Sequence, residues 1–228
     1  MTFLAVGDIV SRVRQTLNES QVNESEFYTG ADESELDRLI RSRALEALNF
    51  VHGTAEAGLL DADRTVSAVS DATPVGGGYL CAVVSVPGFS RLKSIHVGGW
   101  ARALSELGDC DSPEYAKQSD PYACGTPERP VAFLCDYGVD KKIELYSLVR
   151  ADTSVSVQYM VYRGALDTDA TGAEGVSVSG KLVDAYVYYL AGLVLVMLND
   201  PHADDLLNMA CSLMGVQSQA KREEGGQA

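Results

Sequence analysis

The run LVDAYVYYLAGLVLVMLND, Leu182–Asp200, has no charged residue between Asp184 and Asp200 and is typical of a buried helix. Its apolar side chains fall on more than one side of a helix with 3.6 residues per turn. One side holds Leu182, Tyr186, Tyr189, Leu193 and Val196, and another holds Val183, Val187, Leu190, Val194 and Leu198. A surface helix needs only one apolar stripe. We therefore expect this helix to be covered on several sides, by its own domain or partly by neighbouring subunits.

The uncharged part of this run, Ala185–Asn199, is too short to span a membrane. It has 15 residues, whereas a helix needs about 20 apolar residues to cross a bilayer. The N-terminal residues MTFLAVGD contain no basic segment and reach Asp8 early, which argues against a signal peptide. The sequence therefore predicts no membrane partner.

Three further helices are predicted from apolar residues that recur every three or four positions. The first runs from about Val6 to Glu19, and the second ends at Gly53. The last begins at Pro201 and ends at Gly215. The polar tail that follows, Gln217–Ala228, is expected to be disordered when free.

Between Arg64 and Tyr162 the apolar pattern changes to a period of two, which is typical of strands. Clusters of Gly, Pro and Asp separate six short candidate strands, which favours antiparallel pairing. The candidates are Thr65–Ser70, Tyr79–Val86, Lys93–Val97, Val131–Tyr137, Lys142–Leu148 and Val155–Tyr162. The sequence therefore predicts an α+β fold with about four helices and a large antiparallel β insertion.

A long connection, Gly108–Pro130, interrupts the predicted strands and contains four prolines. Connections longer than about 20 residues are usually interaction loops or mobile ones. Tyr115 and Tyr122 lie in this connection and Trp100 precedes it. These aromatic side chains are candidates for partner contact, although packing within the core is the more common role for such residues.

The 228-residue chain carries a formal net charge of −14. Such a surface repels phosphate backbones, so a protein that reads DNA sequence is disfavoured. Two interpretations of the acidity remain. It keeps the protein soluble, or it forms a surface past which nucleic acid moves without being held.

The cysteines and histidines form no recognisable site. The five cysteines are odd in number and include no Cys-x-x-Cys pair. This predicts free thiols in a reducing compartment, with a Cys110–Cys124 bridge as the alternative. The three histidines lack ligand spacing, so no zinc site is expected.

The segment GVSVSGKL, Gly175–Leu182, matches a phosphate-binding loop except at its last position. That loop needs Ser or Thr after the lysine to bind magnesium, and here Leu182 follows Lys181. It also needs a buried parallel strand before it and further βα units after it. We expect no nucleotide cofactor here, but a helix start capped by Ser179.

The acidic turn before this segment offers two more motifs, both built on Asp167 and Asp169. Residues 167–172 copy the first half of a calcium loop, but the twelfth position, which should be Glu, is Val178. The same Asp-x-Asp-x-Thr order resembles the nucleophile motif of haloacid-dehalogenase-type phosphatases, in which the first Asp attacks phosphorus. Only about 60 residues follow, too few for that fold. The chain nevertheless has Lys181, Asp204 and Asp205 downstream in the order that such enzymes use, so a magnesium-dependent phosphohydrolase using Asp167 and Asp169 is the alternative function.

No motif assembles a nucleophile, a base and an oxyanion stabiliser from nearby residues. We therefore expect no catalytic, cofactor-binding or metal-binding residues. The protein is expected to act by shape and contact.

The order of these parts resembles that of the head-to-tail adaptor proteins of tailed bacteriophages. The resemblance is carried by ELDRLIRSRALEALNFV (Glu35–Val51), SPEYAKQSDPYACGTPERPVAFL (Ser112–Leu134), KKIELYSL (Lys141–Leu148) and the run Leu182–Asp200. The central run is similar to connector ring proteins of phages that infect gut Bacteroidetes, including the crAss-like group. The resemblance covers most of the chain and consists of packing patterns, not of a chemical signature.

This resemblance implies a helical adaptor core made of residues 1–63 and 165–216, a β insertion at 64–164 and a flexible tail at 217–228. It implies a virion protein that binds beneath the portal protein as a homo-oligomeric ring, commonly of twelve copies. Such a ring extends the channel for double-stranded DNA, does not read its sequence, and docks further connector or tail ring proteins. The implied location is the head–tail junction of the virion, after assembly in the host cytoplasm.

The resemblance also suggests three sets of candidate contact residues. The candidate subunit-interface residues are Tyr186, Tyr189, Leu193 and Met197. The candidate portal contacts are Leu206, Leu207, Met209, Leu213, Met214 and Gln217. The candidate partner loop comprises Trp100, Tyr115 and Tyr122.

Overall fold

The structure, a computed structural model, describes residues 1–20, 31–70, 72–137, 140–151 and 153–216. The chain divides into two compact units. The terminal unit combines Met1–Asp61 with Arg163–Ala228, and the central unit is the intervening Ala62–Tyr162.

A small antiparallel sheet positions two helices of the terminal unit. It consists of β1 (Thr2–Ala5), β10 (Asp167–Thr168) and β11 (Glu174–Val178) in the order β1-β11-β10. β1 leads directly into helix α1 (Val6–Ser20), and β11 leads through a 3₁₀ turn, Gly180–Leu182, into helix α4 (Val183–Met197). The pairing of β1 with β11 therefore places the starts of α1 and α4 at the same sheet.

Helix α4 is the core helix of the terminal unit. It packs against α1, α2 (Ala31–Thr54) and α5 (Ala203–Leu213). Its buried residues are Ala185, Tyr186, Val187, Leu190, Ala191, Gly192, Val194 and Leu195. Gly192 permits close approach of α5, since a Cβ there would lie 2.8 Å from the Leu207 side chain. Most of the expected cover of α4 thus comes from its own chain.

The segment Gly180–Met197 has the length and mean hydropathy, 1.4, of a membrane-crossing helix, and 50% of it is buried inside the protein. It is the only such segment among the residues that the structure describes. The core helix of a globular unit meets the same criterion, so this property by itself does not indicate a membrane span.

Helices α1 and α5 each have one apolar stripe, as amphipathic helices on the outside of a unit do. In α1 the stripe consists of Ile9, Val10, Val13 and Leu17, all buried. In α5 it consists of Ala203, Leu206 and Ala210, and Met214 continues it just beyond the last turn. The apolar stripe of α2 completes the helical part of the terminal core, and its buried residues are Leu36, Ile40, Ala44, Ala47, Leu48 and Val51.

The central unit contains two sheets and a one-turn helix. One sheet has the order β2-β9-β5, formed by β2 (Arg64–Val66), β9 (Val155–Val161) and β5 (Phe89–Val97). The other has the order β3-β4-β8-β7-β6. Its strands are β3 (Thr73–Pro74), β4 (Leu80–Ser85), β6 (Gly108–Asp109), β7 (Ala132–Tyr137) and β8 (Asp140–Leu148). Helix α3 (Pro113–Ala116) lies in the connection from β6 to β7.

Alternation along the strands gives the central unit two clusters of buried side chains. The larger one combines both sheets and includes Val84, Ile95, Ile143, Leu145 and Tyr159. The smaller one comprises Cys81, Phe133, Cys135 and Tyr146 on neighbouring strands of the five-stranded sheet. Successive side chains of a strand point to opposite faces, which is why β7 and β8 contribute to both clusters.

The predicted fold class, about four helices carrying one large antiparallel β insertion, is wrong. The described residues form five α-helices and eleven strands in three sheets, a mixed α+β fold. One of those sheets, β1-β11-β10, lies among the helices of the terminal unit. The second departure is β6, which pairs with β7 in parallel. Strand structure is thus neither restricted to one inserted block nor wholly antiparallel.

Candidate interaction site

Part of α4 is not covered by the described part of the chain. Val196 and Met197 are 49% and 41% exposed, and Tyr189 and Leu193 are half-buried. These four share one side of the helix because Val196 and Met197 follow Leu193 by three and four positions and follow Tyr189 by seven and eight. Phe50 of α2, 40% exposed, extends this surface by stacking on Tyr189. We call these five residues the α4 seam.

Charged groups border the α4 seam. Arg43 and Glu46 of α2 form an ion pair, and the Arg43 guanidinium also lies 3.3 Å from the sulfur of Met197. Burial raises the pKa of the Tyr189 hydroxyl, and the negative charges of Glu46 and Cys211 would raise it further. An apolar centre with a polar border is the arrangement found at protein–protein contacts.

Tyr186, a predicted subunit contact, does not belong to this surface, so that prediction is wrong. Its side chain is completely buried, and its hydroxyl donates a hydrogen bond to the carbonyl of Ala44, 3.3 Å away. Burial raises the pKa of this hydroxyl above its ordinary value. A helix that is apolar all round does not reveal which side meets its own core. Tyr189, Leu193 and Met197 remain candidates.

Sequence reasoning missed Phe50. A signal was present, because Phe50 is a large aromatic residue beside the apolar stripe of α2 rather than on it. Its neighbours Leu48 and Val51 are buried, whereas Phe50 is not. An aromatic residue out of phase with the stripe is a reasonable marker of a contact outside the core.

The predicted portal contacts on α5 divide into buried and exposed residues. Leu206 and Met214 are 7% and 0% exposed, because they form the stripe that packs into the terminal core, so they are wrong as surface contacts. Leu207 is half-buried beside Gly192. Met209 and Leu213, 48% and 43% exposed, remain candidates, and Gln217 lies outside the described residues.

Two of the three predicted partner-loop aromatics have contacts inside the central unit. The indole Nε1–H of Trp100 donates to the carbonyl of Ser147 at 3.3 Å, and the ring packs against the larger cluster. The Tyr115 ring packs edge-on against Phe133 and Tyr146. Both side chains are half-buried and stabilise the unit, which leaves them little free surface for a partner.

Tyr122 differs from these two aromatics, since its side chain is 99% exposed. The loop that carries it is held by local hydrogen bonds. The buried Gln118 donates to the Glu114 carbonyl and accepts from the Gly125 N–H, each at 2.9 Å. The Asp120 carboxylate accepts the Tyr122 N–H at 2.8 Å. Tyr122 is therefore presented on a fixed turn, as a contact residue would be.

An open cleft of about 840 Å³ lies beside this loop. Its lining includes Pro74, the glycines at 76–78, Tyr115, Gln118 and Tyr146. Gly77 has a φ of +69°, and a Cβ there would lie 2.7 Å from the Cys124 sulfur. Glycine at position 77 thus allows the backbone of the cleft wall to pack against Cys124, two residues after Tyr122.

A buried carboxylate lies beneath Tyr115. Glu144 is 7% exposed and accepts hydrogen bonds from the hydroxyls of Tyr115, at 3.0 Å, and Tyr146, at 2.9 Å. Burial, followed by the charge of Glu144, raises the pKa of Cys81 to about 11. The same two causes, with contributions from Cys110, raise the pKa of Cys135 to about 12. Both thiols stay protonated at neutral pH, so the cluster lacks a thiolate nucleophile there.

The carboxylates of Asp167 and Asp169 serve the local structure. Asp167 accepts from the Arg163 guanidinium at 2.8 Å and from the Ser177 N–H at 3.2 Å. Asp169 accepts from the hydroxyl and N–H of Thr171 and from the N–H of Ala173, which lowers its pKa. No three His, Cys, Asp or Glu side chains of the described residues are grouped so that they could hold a metal ion.

The segment Gly175–Leu182 joins the strand β11 to α4. Gly175 pairs with Ala5, and a Cβ at position 175 would lie 2.2 Å from the carbonyl oxygen of Leu4. The Gly180 N–H donates to the Asp61 carboxylate at 2.8 Å, and the Lys181 ammonium donates to the Gly58 carbonyl at 3.3 Å. In this structure the glycines and the lysine thus fasten the start of α4 to its own unit.

The acidity of the chain is concentrated in one unit. The terminal unit has 20 acidic and 9 basic residues, a formal charge of −11. The central unit has 12 acidic and 9 basic residues, a formal charge of −3. The α4 seam therefore lies in the strongly acidic unit.

The chain matches no protein-family model and no curated protein.

Proposed function

We propose that this protein is a virion structural protein of a tailed bacteriophage. In this role it is a head-to-tail connector that forms a ring beneath the portal protein, extends the DNA channel and docks tail components. The order of segments that resembles adaptor proteins suggests the role. The observation that carries the proposal is the α4 seam, an apolar surface that the described chain leaves open. A protein that works by assembly uses such a surface, whereas a catalytic role would need a cluster of reactive groups.

The α4 seam supports contact with a neighbouring copy. A closed ring requires the same contact to repeat head to tail from one subunit to the next. Phe50 and Tyr189 supply a rigid aromatic pair at one end of the seam, and Met197 supplies a flexible side chain at the other end that adapts to a partner surface. Arg43 and Glu46 would form part of the polar border of this contact.

The acidic terminal unit supports passage of DNA without retention. Proteins hold DNA when Lys and Arg neutralise phosphates and release the condensed counterions. A unit with a formal charge of −11 offers little of this gain and repels the phosphate backbone instead. We propose that this unit lines the channel and that Met209 and Leu213 of α5 contact the portal.

Light scattering of the purified chain, alone and mixed with portal rings, tests the proposal. We expect the chain to assemble into multimers, with twelve copies per portal ring. Val196→Glu places a charge in the α4 seam and should abolish assembly. The matched control is Val149→Glu, which changes a residue of the central unit that is 59% exposed, and it should assemble normally. A chain that stays monomeric and ignores the portal contradicts the proposal.

A further inference from the structure

Two cysteines lie on neighbouring strands at one edge of the five-stranded sheet. β6 and β7 pair in parallel, with Gly108 opposite Phe133 and Asp109 opposite Leu134. The next residues in this register are Cys110 and Cys135. Neighbouring strands are about 4.8 Å apart, and a disulfide needs Cα atoms about 4.4–6.8 Å apart. Cys110 follows directly after the end of β6, so continuing this spacing by one residue brings the two cysteines into disulfide range, and their side chains are close enough to share a hydrogen bond.

The surroundings give the two thiols different access to reagents. Cys135 is 3% exposed within the smaller cluster, and Cys110 is half-buried and packs against that cluster. The thiols also interact directly. Burial and the charge of Glu144 raise the pKa of Cys135 most, and a hydrogen bond with Cys110 adds to this effect. A reagent from solution therefore meets Cys110 first.

We propose that Cys110 and Cys135 are an oxidation site and form an intrachain disulfide when the protein meets a small-molecule disulfide such as oxidised glutathione. The thiolate of Cys110 attacks one sulfur of the reagent, forms a mixed disulfide and releases one small thiolate, which takes up the proton that Cys110 lost. Cys135 then attacks the Cys110 sulfur. The Cys110–Cys135 bond forms as the mixed disulfide breaks, and the proton of Cys135 passes to the departing small thiolate. Two protein thiols are oxidised and one small disulfide is reduced to two thiols. This site goes beyond the proposed function and does not depend on it.

The bond would fasten the connection that carries Tyr122. Residues 111–134, with α3 and the Tyr122 turn, lie between the two cysteines. Their closure into a covalent loop reduces the conformational freedom of this segment in the unfolded chain. The Cys110 side chain shares a hydrogen bond with Cys135, which favours Cys135 over Cys124 as its partner.

Peptide mapping under non-reducing conditions after incubation with oxidised glutathione tests the site. We expect a peptide in which Cys110 is linked to Cys135, so that both residues lose their free thiols. Cys135→Ser should instead retain one glutathione on Cys110, and Cys110→Ser should leave Cys135 unmodified. Cys211→Ser, a change in the terminal unit, should form the bridge as the parent does.

Two results would overturn the proposal. One is a Cys110–Cys124 peptide in place of the Cys110–Cys135 peptide. The other is a parent chain that keeps all five thiols under conditions that oxidise the denatured chain. Because Cys135 is buried, circular dichroism of Cys135→Ser checks its fold, and the half-buried Cys110→Ser provides an independent variant.

Discussion

The rings of Phe50 and Tyr189 are stacked, with centroids 4.3 Å apart and planes within 4° of parallel. This pair joins α2 to α4 at the place where the core of the terminal unit reaches the surface. Stacked aromatic rings contribute about 0.5–1.5 kcal/mol beyond the area that they bury. Because Phe50 is also 40% exposed, its other face is available to a neighbouring molecule.

Replacement of Phe50 by Ala should cause a large loss of multimers and only a small loss of folding stability. We expect a loss of about 1 kcal/mol in the free energy of unfolding, because one ring of a stacked pair is removed. Sedimentation should show a shift from multimers to monomers, since the aromatic pair of the α4 seam is lost.

The matched control is Tyr186→Phe, which removes a buried hydroxyl from the same helix and leaves its surface unchanged. It should cost about 1 kcal/mol, the net value of one hydrogen bond, and should assemble as the parent does. If Phe50→Ala and Tyr186→Phe affect assembly equally, the α4 seam is not the contact surface.

Gly175→Ala should disrupt the β1–β11 pairing. A Cβ at this position would lie 2.2 Å from the Leu4 carbonyl oxygen and 2.5 Å from the Phe3 ring, so the two strands must separate. We expect a loss of about 3 kcal/mol, within the range for overpacked sites. Thermal unfolding measures the effect.

Gly164→Ala is the corresponding control, because a Cβ there would meet nothing within 4 Å and its backbone is not left-handed. It should change the unfolding temperature little. A small effect at Gly175, equal to that at Gly164, contradicts the close approach of β1 and β11.

Ser147→Gly should stabilise the central unit. Ser147 has a φ of +65° and is 1% exposed, and its hydroxyl has no hydrogen-bond partner in the part of the chain that the structure describes. Glycine adopts the left-handed backbone without strain and removes the buried hydroxyl, and both changes stabilise the folded state. Glycine also increases the entropy of the unfolded chain, so the net gain in the free energy of unfolding should be about 1 kcal/mol.

Ser147→Ala separates the two effects at this position, because alanine removes the hydroxyl but keeps the unfavourable backbone. It should fall between the parent and the glycine variant in denaturant unfolding. A glycine variant less stable than the parent means that the hydroxyl makes an interaction the unit needs.

Alkaline pH should destabilise the central unit through its buried thiols. The pKa values of Cys81 and Cys135 rise from 9.0 to about 11 and about 12 in the folded chain. Above pH 9 the unfolded chain loses these protons while the folded chain keeps them, so the unfolded state binds fewer protons and stability falls as pH rises. The decline should level off once the folded thiols also ionise.

Denaturant unfolding between pH 8 and pH 12 measures this decline. The variant Cys81→Ala should show a shallower decline than the parent, because one of the two thiols no longer titrates. An unchanged slope in this variant means that other groups cause the pH dependence.

The helices were more predictable from the sequence than the sheets. The helix predicted from Val6 to Glu19 is confirmed as Val6–Ser20, because its apolar stripe repeats over four turns. β1 is only four residues long, β10 lies in the acidic turn with Asp167 and Asp169, and β11 overlaps the segment that resembles a phosphate-binding loop. Their glycine marks a close approach of two backbones, which depends on contacts across more than 170 residues of sequence.

The candidate surface was predictable only in part. The spacing of apolar residues in α4 identified a helix with more apolar sides than one stripe requires, but it could not separate Tyr186 from Tyr189. That distinction depends on where α2 packs. Tyr186 donates to the carbonyl of Ala44, whereas Tyr189 stacks on Phe50 at the surface. The closeness of Cys110 and Cys135 likewise depends on the parallel pairing of β6 with β7, which no local sequence pattern predicts.

Electron microscopy of the chain mixed with purified portal rings tests the central claim most directly. We expect a closed ring of about twelve copies stacked on one face of the portal, with the terminal unit lining the channel. Portal rings without added density, beside single copies of the chain, would contradict the connector function.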